Sequence, residues 1–510
     1  MGHQAVDRDD IAGVHRAPFV GIGRYVRSWA RTQPDVPAVE MASGAVRTYA
    51  ELDVRSQRLA HGLLAMGCTP GDRVGIWLGN CLEYLDVYLA CAKAGLVVVP
   101  VNGRFTPVEA DYVLGDADVR LLVYCSEIAE QVATLEHRPI LVASDDLDLV
   151  IGKGTTHPLP DPAPDNVLIL GYTSGTTGTP KGAELTHGSV ERLALTNALS
   201  CRYRMGSVHV FGMSLSFTAT VPAHVLPHLV VGGTTVLHRS WDTEAMLDTI
   251  ERRRGNFVIV PSPVLNEVAA AVRARPHAAA SLVAALHSAS KAPVAALADL
   301  VDALGDRVIE GWGMTENSGG LFTASHATDL TSGDPLLLGS AGRPVPGTEV
   351  EVRDPDVDGV GQLWTTSPAL FRGYWRNAAA TADALVDGWF NTGDLGTVCG
   401  GVVTVVDRRA DLINSGGMNV YPSEIERVLL DSGLVAECAV VAAPHPRWGQ
   451  VPVAFIVPLG SGVDAGLSRY LTDRLADYKR PTRIITLEAL PRNAGSKLER
   501  RRLVELAATE

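Results

Sequence analysis

Apolar and polar positions change period along this chain, and the changes mark its elements. Leu52 and Leu59 share one face of a 3.6-residue repeat over 49–66, with Thr48 in place as an N-cap, so a helix is predicted there. The whole stretch 21–65 reads as two helices around a short hairpin. Pro70, Gly71 and Asp72 form a turn. Apolar runs at 73–78 and 96–101 flank a helical stretch at 82–94, an order that predicts a right-handed unit of parallel sheet. The pattern recurs with a helix over 107–114 and a strand over 121–124. A Pro- and Asp-rich linker, 158–165, leads to a buried strand at 167–170. A helix over 243–253 and a strand over 257–260 carry the alternation towards residue 330.

Over 338–405 the character changes to short strands with Gly and Pro turns, which predicts an antiparallel subdomain. After Asp407 the pattern restarts: helix 422–430, strands 438–442 and 453–457, helix 467–475, strand 483–487. About 100 residues suffice for a small domain of their own. The predicted fold is therefore α/β: a large N-terminal domain of several subdomains with parallel sheets and helices, then a small α+β C-terminal domain.

Length and composition narrow the function. A chain of 510 residues exceeds one ordinary core. Hydrophobic content of 46% with 20% charged residues belongs to a folded protein. The net charge of −13 argues against nucleic acid and acidic membranes as partners. Seven scattered cysteines without a CxxC pair favour reduced thiols in a cytoplasmic protein. The acidic N-terminus lacks the apolar core of a signal peptide. Residues 205–238 carry no Asp, Glu, Lys or Arg, but His, Pro and Gly interrupt them, so they read as buried core or pocket wall and not as a membrane span.

The stretch Tyr172-Thr-Ser-Gly-Thr-Thr-Gly-Thr-Pro-Lys181-Gly follows the strand at 167–170. Glycines let a backbone approach a ligand, successive amides and hydroxyls can converge on an anion, and Lys181 adds a mobile positive charge. Such a loop suits a polyphosphate, although composition alone fits a flexible surface loop equally well. The Walker pattern is absent.

The order of these residues resembles the phosphate loop of adenylate-forming enzymes, the superfamily of acyl-CoA synthetases, peptide-synthetase adenylation domains and luciferases. Four further elements resemble that family in its own order: Gly311-Trp-Gly-Met-Thr-Glu316, Trp389-Phe-Asn-Thr-Gly-Asp394, residues 407–426, and Pro491-Arg-Asn-Ala-Gly-Ser-Lys497. The stretch 48–102 adds a likeness to acyl-CoA synthetases.

The resemblance implies an ATP-dependent carboxylic acid–CoA ligase with ATP, Mg²⁺ and CoA. It implies an N-terminal adenylation domain over 1–406, a hinge over 407–411 and a mobile C-terminal domain over 412–510. Thr173, Ser174, Gly175, Thr176, Thr177, Gly178 and Lys181 would hold phosphates. Trp312 would stack on adenine, Thr315 contact the α-phosphate and Glu316 bind Mg²⁺. Asp394 and Arg408 would hold the ribose, and Lys497 would be the catalytic lysine. Phe217, Ser288, Gly311, Gly313 and Met314 would line the acyl pocket, and Ser415, Gly416 and Gly417 the path of CoA.

The sequence departs from the family at several places. Trp312 stands where Tyr is usual, Ala410 at the hinge pivot where Lys or Asp is usual, and Ser496 where Gly is usual. The segment Phe-Gly-Met-Ser-Leu-Ser-Phe217 lacks the acidic residue that holds an amino acid's amine, so an apolar, bulky or cyclic acid is expected. The alternative acceptor is a separate carrier protein, and a lesser alternative is a non-catalytic nucleotide sensor. A monomer or homodimer is expected.

Overall fold

The strand–helix alternation builds two sheets that enclose one core. The structure is a computed structural model, and it describes residues 20–509 apart from 174–179, 289–291, 293, 416–417, 446–447, 461–463, 473, 476 and 494–496. Six strands lie in the order Ile140–Ala143, Val119–Tyr124, Arg73–Trp77, Val97–Pro100, Val167–Thr173 and Lys181–Thr186. The first five are parallel, and the last turns back antiparallel.

In the second sheet six parallel strands run from Val308–Gly313 through Ala284–His287, Phe257–Ile259, Val208–Phe211 and Thr234–Leu237 to Pro37–Met41. Antiparallel strands complete both edges, Leu321–Ser325 and Arg343–Pro344 on one, Val46–Thr48 on the other. The predicted hairpin at 21–65 thus exists, but its first strand is also recruited into this sheet beside residues 234–237.

Burial explains the apolar runs. Val98, Phe257 and Ile259 face the core shared by the two sheets, whereas Val97, Val99 and Val258 face the outer layers. Strands covered on both faces carry apolar side chains without alternation. The predicted N-cap at Thr48 is a full capping box: Thr48 N–H donates to Glu51 at 2.9 Å and Glu51 N–H to Thr48 Oγ1 at 3.2 Å.

Residues 349–408 form the expected antiparallel sheet, ending in the paired strands Trp389–Cys399 and Val402–Arg408. The second of these continues through Asp407 and Arg408, so the turn at the expected hinge is confined to Arg409–Asp411. Beyond it, a small sheet is built on the hairpin Val435–His445 with Gly449–Pro458. Val440 and Ile456 face one helical layer, and Val441 and Phe455 the other. The helix expected at 467–475 begins earlier, as Asp464–Thr472.

Beyond the exposed Met205 and Gly206, the uncharged segment 205–238 is largely interior, as its composition suggested. No helix among the described residues is long and apolar enough to cross a membrane. Its histidines pack together: His209 stacks on His228 at 4.7 Å, and both contact Phe257. Burial pulls the pKa of His224 down to about 3 and of His228 to about 4, and holds that of His209 well below the usual imidazole value.

These rings are neutral when folded and gain protons near pH 6.5 when unfolded. Each therefore contributes stability that is complete above pH 6.5 and declines as the pH falls towards its folded pKa, at about 1.4 kcal/mol per pH unit. We expect urea denaturation to show wild type losing stability between pH 7 and 5 relative to His228→Phe. Parallel pH curves for the two proteins would refute this.

Candidate active site

Four elements, separated in sequence, converge at the carboxyl ends of the parallel strands. The first is the hairpin between Val167–Thr173 and Lys181–Thr186, whose register places Thr173 opposite Lys181. Residues Ser174, Gly175, Thr176, Thr177 and Gly178, expected to hold phosphates, lie outside the described residues. Lys181 Nζ stands 5.4 Å from the centre of the Tyr374 ring.

The second is the end of the strand Val308–Gly313 and the turn Thr315–Asn317. Close approach fixes its glycines: a Cβ on Gly313 would meet the Gly320 carbonyl at 2.0 Å, and Gly319, at φ +85°, abuts Ala219. Glu316 is buried, and its Oε1 accepts from the Tyr374 hydroxyl at 2.8 Å. Its Oε2 has no hydrogen-bond partner among the described residues. There, too, no group of three or more His, Cys, Asp or Glu side chains could hold a metal. A cation here would therefore take one protein carboxylate and complete its shell from phosphates and water, a coordination that suits Mg²⁺.

The third element is the paired strands Trp389–Cys399 and Val402–Arg408. Asp394 faces Arg408 across the ladder, is 4% exposed, and lies 3.2 Å from the Arg408 guanidinium. Its other oxygen accepts from the Trp312 indole at 2.9 Å. Burial pushes its pKa up, while Arg408 and the indole oppose the rise.

The fourth is the loop before the last helix. Asn493 closes it, its side chain accepting from Lys497 N–H at 3.0 Å and its own N–H donating to the Lys497 carbonyl at 2.8 Å. Much of Lys497 is exposed, yet surrounding protein lowers the pKa of its ammonium; Arg408 adds to that, and Glu316 and Asp394 oppose it. The lysine thus reaches the charges of the third and second elements from the C-terminal domain.

Of the residues expected to line an acyl pocket, Phe217, Ser288, Gly313 and Met314 are half-buried and Gly311 is buried. Phe217 follows Ser214 and Ser216, whose hydroxyls are 2.8 Å apart, and precedes a π-helical turn, Val221–Val225. Ser415 is buried opposite Gly449, while Gly416 and Gly417 lie outside the described residues. Ala410 lies in the turn Arg409–Asp411.

The sequence reading missed two features. One is Tyr374. The other is a relay across three neighbouring segments of the sheet: Ser262 Oγ is 2.7 Å from His287 Nε2, and His287 Nδ1 is 2.5 Å from Glu310 Oε2. His287 is fully buried, and burial pushes the Glu310 pKa up against the pull of His287. A signal for the relay did exist, one ionisable residue in each of two otherwise uncharged strands, but their separation in sequence hid the pairing.

Comparison with known proteins accords with this geometry. Residues 26–375 match the model of the AMP-binding enzymes, and residues 424–497 that of the AMP-binding enzyme C-terminal domain. The chain belongs to this family of adenylate-forming enzymes. It is 36% identical to a feruloyl-CoA synthase of Amycolatopsis sp over 94% of this chain and 97% of that protein. It is 33% identical to a fatty acid–acyl-carrier-protein ligase of Streptomyces coeruleorubidus, over 93% and 94% of the two chains. The solved o-succinylbenzoate CoA synthetase of Bacillus subtilis is 28% identical. In complex with its acyl-adenylate intermediate it superimposes with a TM-score of 0.84 over 94% of this chain and 97% of that one. In complex with ATP and a magnesium ion the TM-score is 0.83, over 94% and 98%.

The relay makes a stability prediction. His287→Leu leaves Glu310 buried without its partner and should lower the unfolding free energy by about 1–3 kcal/mol. Adding Glu310→Leu should recover part of that loss, because both partners are then apolar. Urea denaturation of the single and double variants decides; a single variant as stable as wild type would count against the pair.

Proposed function

We infer that the protein is an AMP-forming carboxylic acid–CoA ligase that activates its acid as an acyl-adenylate. The observation that carries this is the pairing of buried Asp394 with Arg408 at 3.2 Å, with Lys497 on the other side of the domain boundary near enough to feel the charges of Arg408, Glu316 and Asp394. A carboxylate is anionic and lacks a leaving group. Its attack on the α-phosphate of ATP gives the acyl-adenylate and pyrophosphate, and a thiol then displaces AMP. The first step is governed by positioning and charge neutralisation.

In this reading Trp312 supports the adenine while its N–H holds Asp394, whose remaining lone pairs accept from the ribose hydroxyls. Lys181 and the loop 174–179 take the β- and γ-phosphates. Thr315 contacts the α-phosphate, and Glu316 offers its free oxygen to Mg²⁺. Lys497 neutralises charge between the acid and the α-phosphate. The unit over 412–510 then turns at Ala410, withdrawing Lys497 and bringing Ser415 and its neighbours to the thiol.

Likeness to the feruloyl-CoA synthase and the uncharged wall over 205–238 favour an apolar aryl acid over an amino acid or a polar diacid. Likeness to the carrier-protein ligase keeps a separate acyl carrier as the alternative acceptor. All seven cysteines are free, which suits a cytoplasmic location.

The first test is incubation with ATP, Mg²⁺, CoA and a panel of aryl and fatty acids, with products read by mass spectrometry. Acyl-CoA from an aryl acid is expected. Acyl-adenylate without acyl-CoA would point to the carrier, and no pyrophosphate exchange with any acid would overturn the ligase reading. Lys497→Ala should reduce adenylation by about 10²–10³ and spare thioester formation from supplied acyl-adenylate. Equal loss of both half-reactions would remove Lys497 from that role. Ala410→Pro should leave adenylation intact and block thioester formation; unchanged overall turnover would exclude Ala410 as the pivot.

A further inference from the structure

Residues 371–375 form a short strap that ties the strand Lys181–Thr186 to the turn carrying Glu316. Phe371 N–H donates to the Glu316 carbonyl at 2.7 Å, Arg372 N–H to the Glu184 carbonyl at 2.8 Å, and Trp375 N–H to the Gly182 carbonyl at 2.7 Å. Glu184 N–H donates back to the Gly373 carbonyl at 2.9 Å. The Arg372 guanidinium grips the Glu184 carboxylate through two contacts of 2.9 Å. Tyr374 N–H is anchored on Thr381 Oγ1 at 2.9 Å.

The strap presents one half-buried side chain, Tyr374, to both ion-handling groups. Its ring carries the Lys181 ammonium, and its hydroxyl donates to Glu316 Oε1. An ammonium and a carboxylate gathered on one side chain would gain by pairing directly, which would spend both charges on each other. No such pair forms: Lys181 has no carboxylate within 4 Å among the described residues. A π face attracts a cation without neutralising it. One neutral O–H donor fixes a carboxylate while leaving its second oxygen open. A phenol is protonated at neutral pH, so the hydroxyl is a donor to the carboxylate.

We propose that Tyr374 is a positioning residue that holds Lys181 and Glu316 apart and aims each at the nucleotide, the lysine at its phosphates and the free Glu316 oxygen at its divalent cation. The proposal rests on the nucleotide site described above and adds to it a residue that makes metal and phosphate recognition interdependent.

The two halves of the side chain separate in variants. Tyr374→Phe keeps the ring and loses the hydroxyl; Tyr374→Leu loses both. The readout is calorimetric ATP binding by the full chain, without metal and along a Mg²⁺ titration, with thermal unfolding as a control. For Tyr374→Phe, metal-free ATP binding should stay at the wild-type value, while the half-saturating Mg²⁺ concentration rises about five-fold, the effect of one neutral hydrogen bond. Tyr374→Leu should in addition weaken metal-free ATP binding several-fold through Lys181. A wild-type Mg²⁺ midpoint in Tyr374→Phe would overturn the proposal. So would equal loss of metal-free and metal-dependent binding in both variants with a lowered melting temperature, which would make the strap structural only. Wild type that binds no ATP under any condition would instead overturn the nucleotide site itself.

Discussion

A buried carboxylate, Asp394, sets the geometry of the candidate site. An ionised group at such depth costs several kcal/mol unless charged or polar partners meet it. The partners come from different places: the Trp312 indole from the end of the nine-stranded sheet, and Arg408 from the strand that leads into the hinge turn. Meeting them fixes the antiparallel sheet against the parallel one. It also fixes where the C-terminal domain begins. Lys497, sensitive to the same carboxylate, completes the arrangement from beyond that turn. One desolvated charge thus constrains three parts of the chain.

Among the described residues, polar contacts of ordinary strength hold the boundary itself. Ser423 donates to the Val406 carbonyl at 2.8 Å and, through its N–H, to Asp407 at 2.9 Å. Tyr421 donates to Asp356 at 3.0 Å. Asp411, in the turn, lies 3.3 Å from Arg500, which also binds Glu426 at 2.8 Å and so belongs with the C-terminal domain. The turn 409–411, the proposed pivot, is therefore anchored on its far side and, among the described residues, linked to the N-terminal domain through hydrogen bonds such as these, each worth about 1 kcal/mol. A boundary of that strength can be exchanged for another of similar strength, as hinge motions between domains require. Alanine at 410 adds no charge to either side of that balance.

Much of this was legible in the sequence, for a physical reason. Apolar spacing at Leu52 and Leu59, the cap at Thr48 and the unbroken run at 96–101 record local backbone geometry and two-sided burial, and both survive in the structure. The motifs around Trp312, Asp394 and Lys497 were legible as resemblance because each is contiguous. What was not legible is pairing between distant residues. Nothing local to Pro37–Met41 announces a parallel neighbour at 234–237. Nothing near Ser262 announces His287 and Glu310, and Tyr374 reads as one aromatic among several until the strap places it against Glu316, 58 positions away. The turn at 409–411 is shorter than the expected hinge because ladder pairing with Asp394 keeps Arg408 in its strand.

The same division separates two kinds of specificity. The side proposed to take the nucleotide is built from charges held by other charges and donors: Asp394 by Arg408 and Trp312, and Glu316 by Tyr374. Each carboxylate is engaged by a donor that is fixed in turn by strand pairing or burial, so little reorganisation is needed when an anion and its cation arrive. The acyl side follows the opposite rule. Phe217, Met314 and the serine pair at 214 and 216 offer shape and two hydroxyls but no charge, and the π-helical turn beyond them departs from regular helix. A wall of that kind discriminates by fit, at only about 1–3 kcal/mol per methylene. In the proposed ligase, rigid electrostatics on one side and adjustable apolar walls on the other would let one adenylating apparatus serve different acids, with the choice of acid assigned by this reading to residues 214–225.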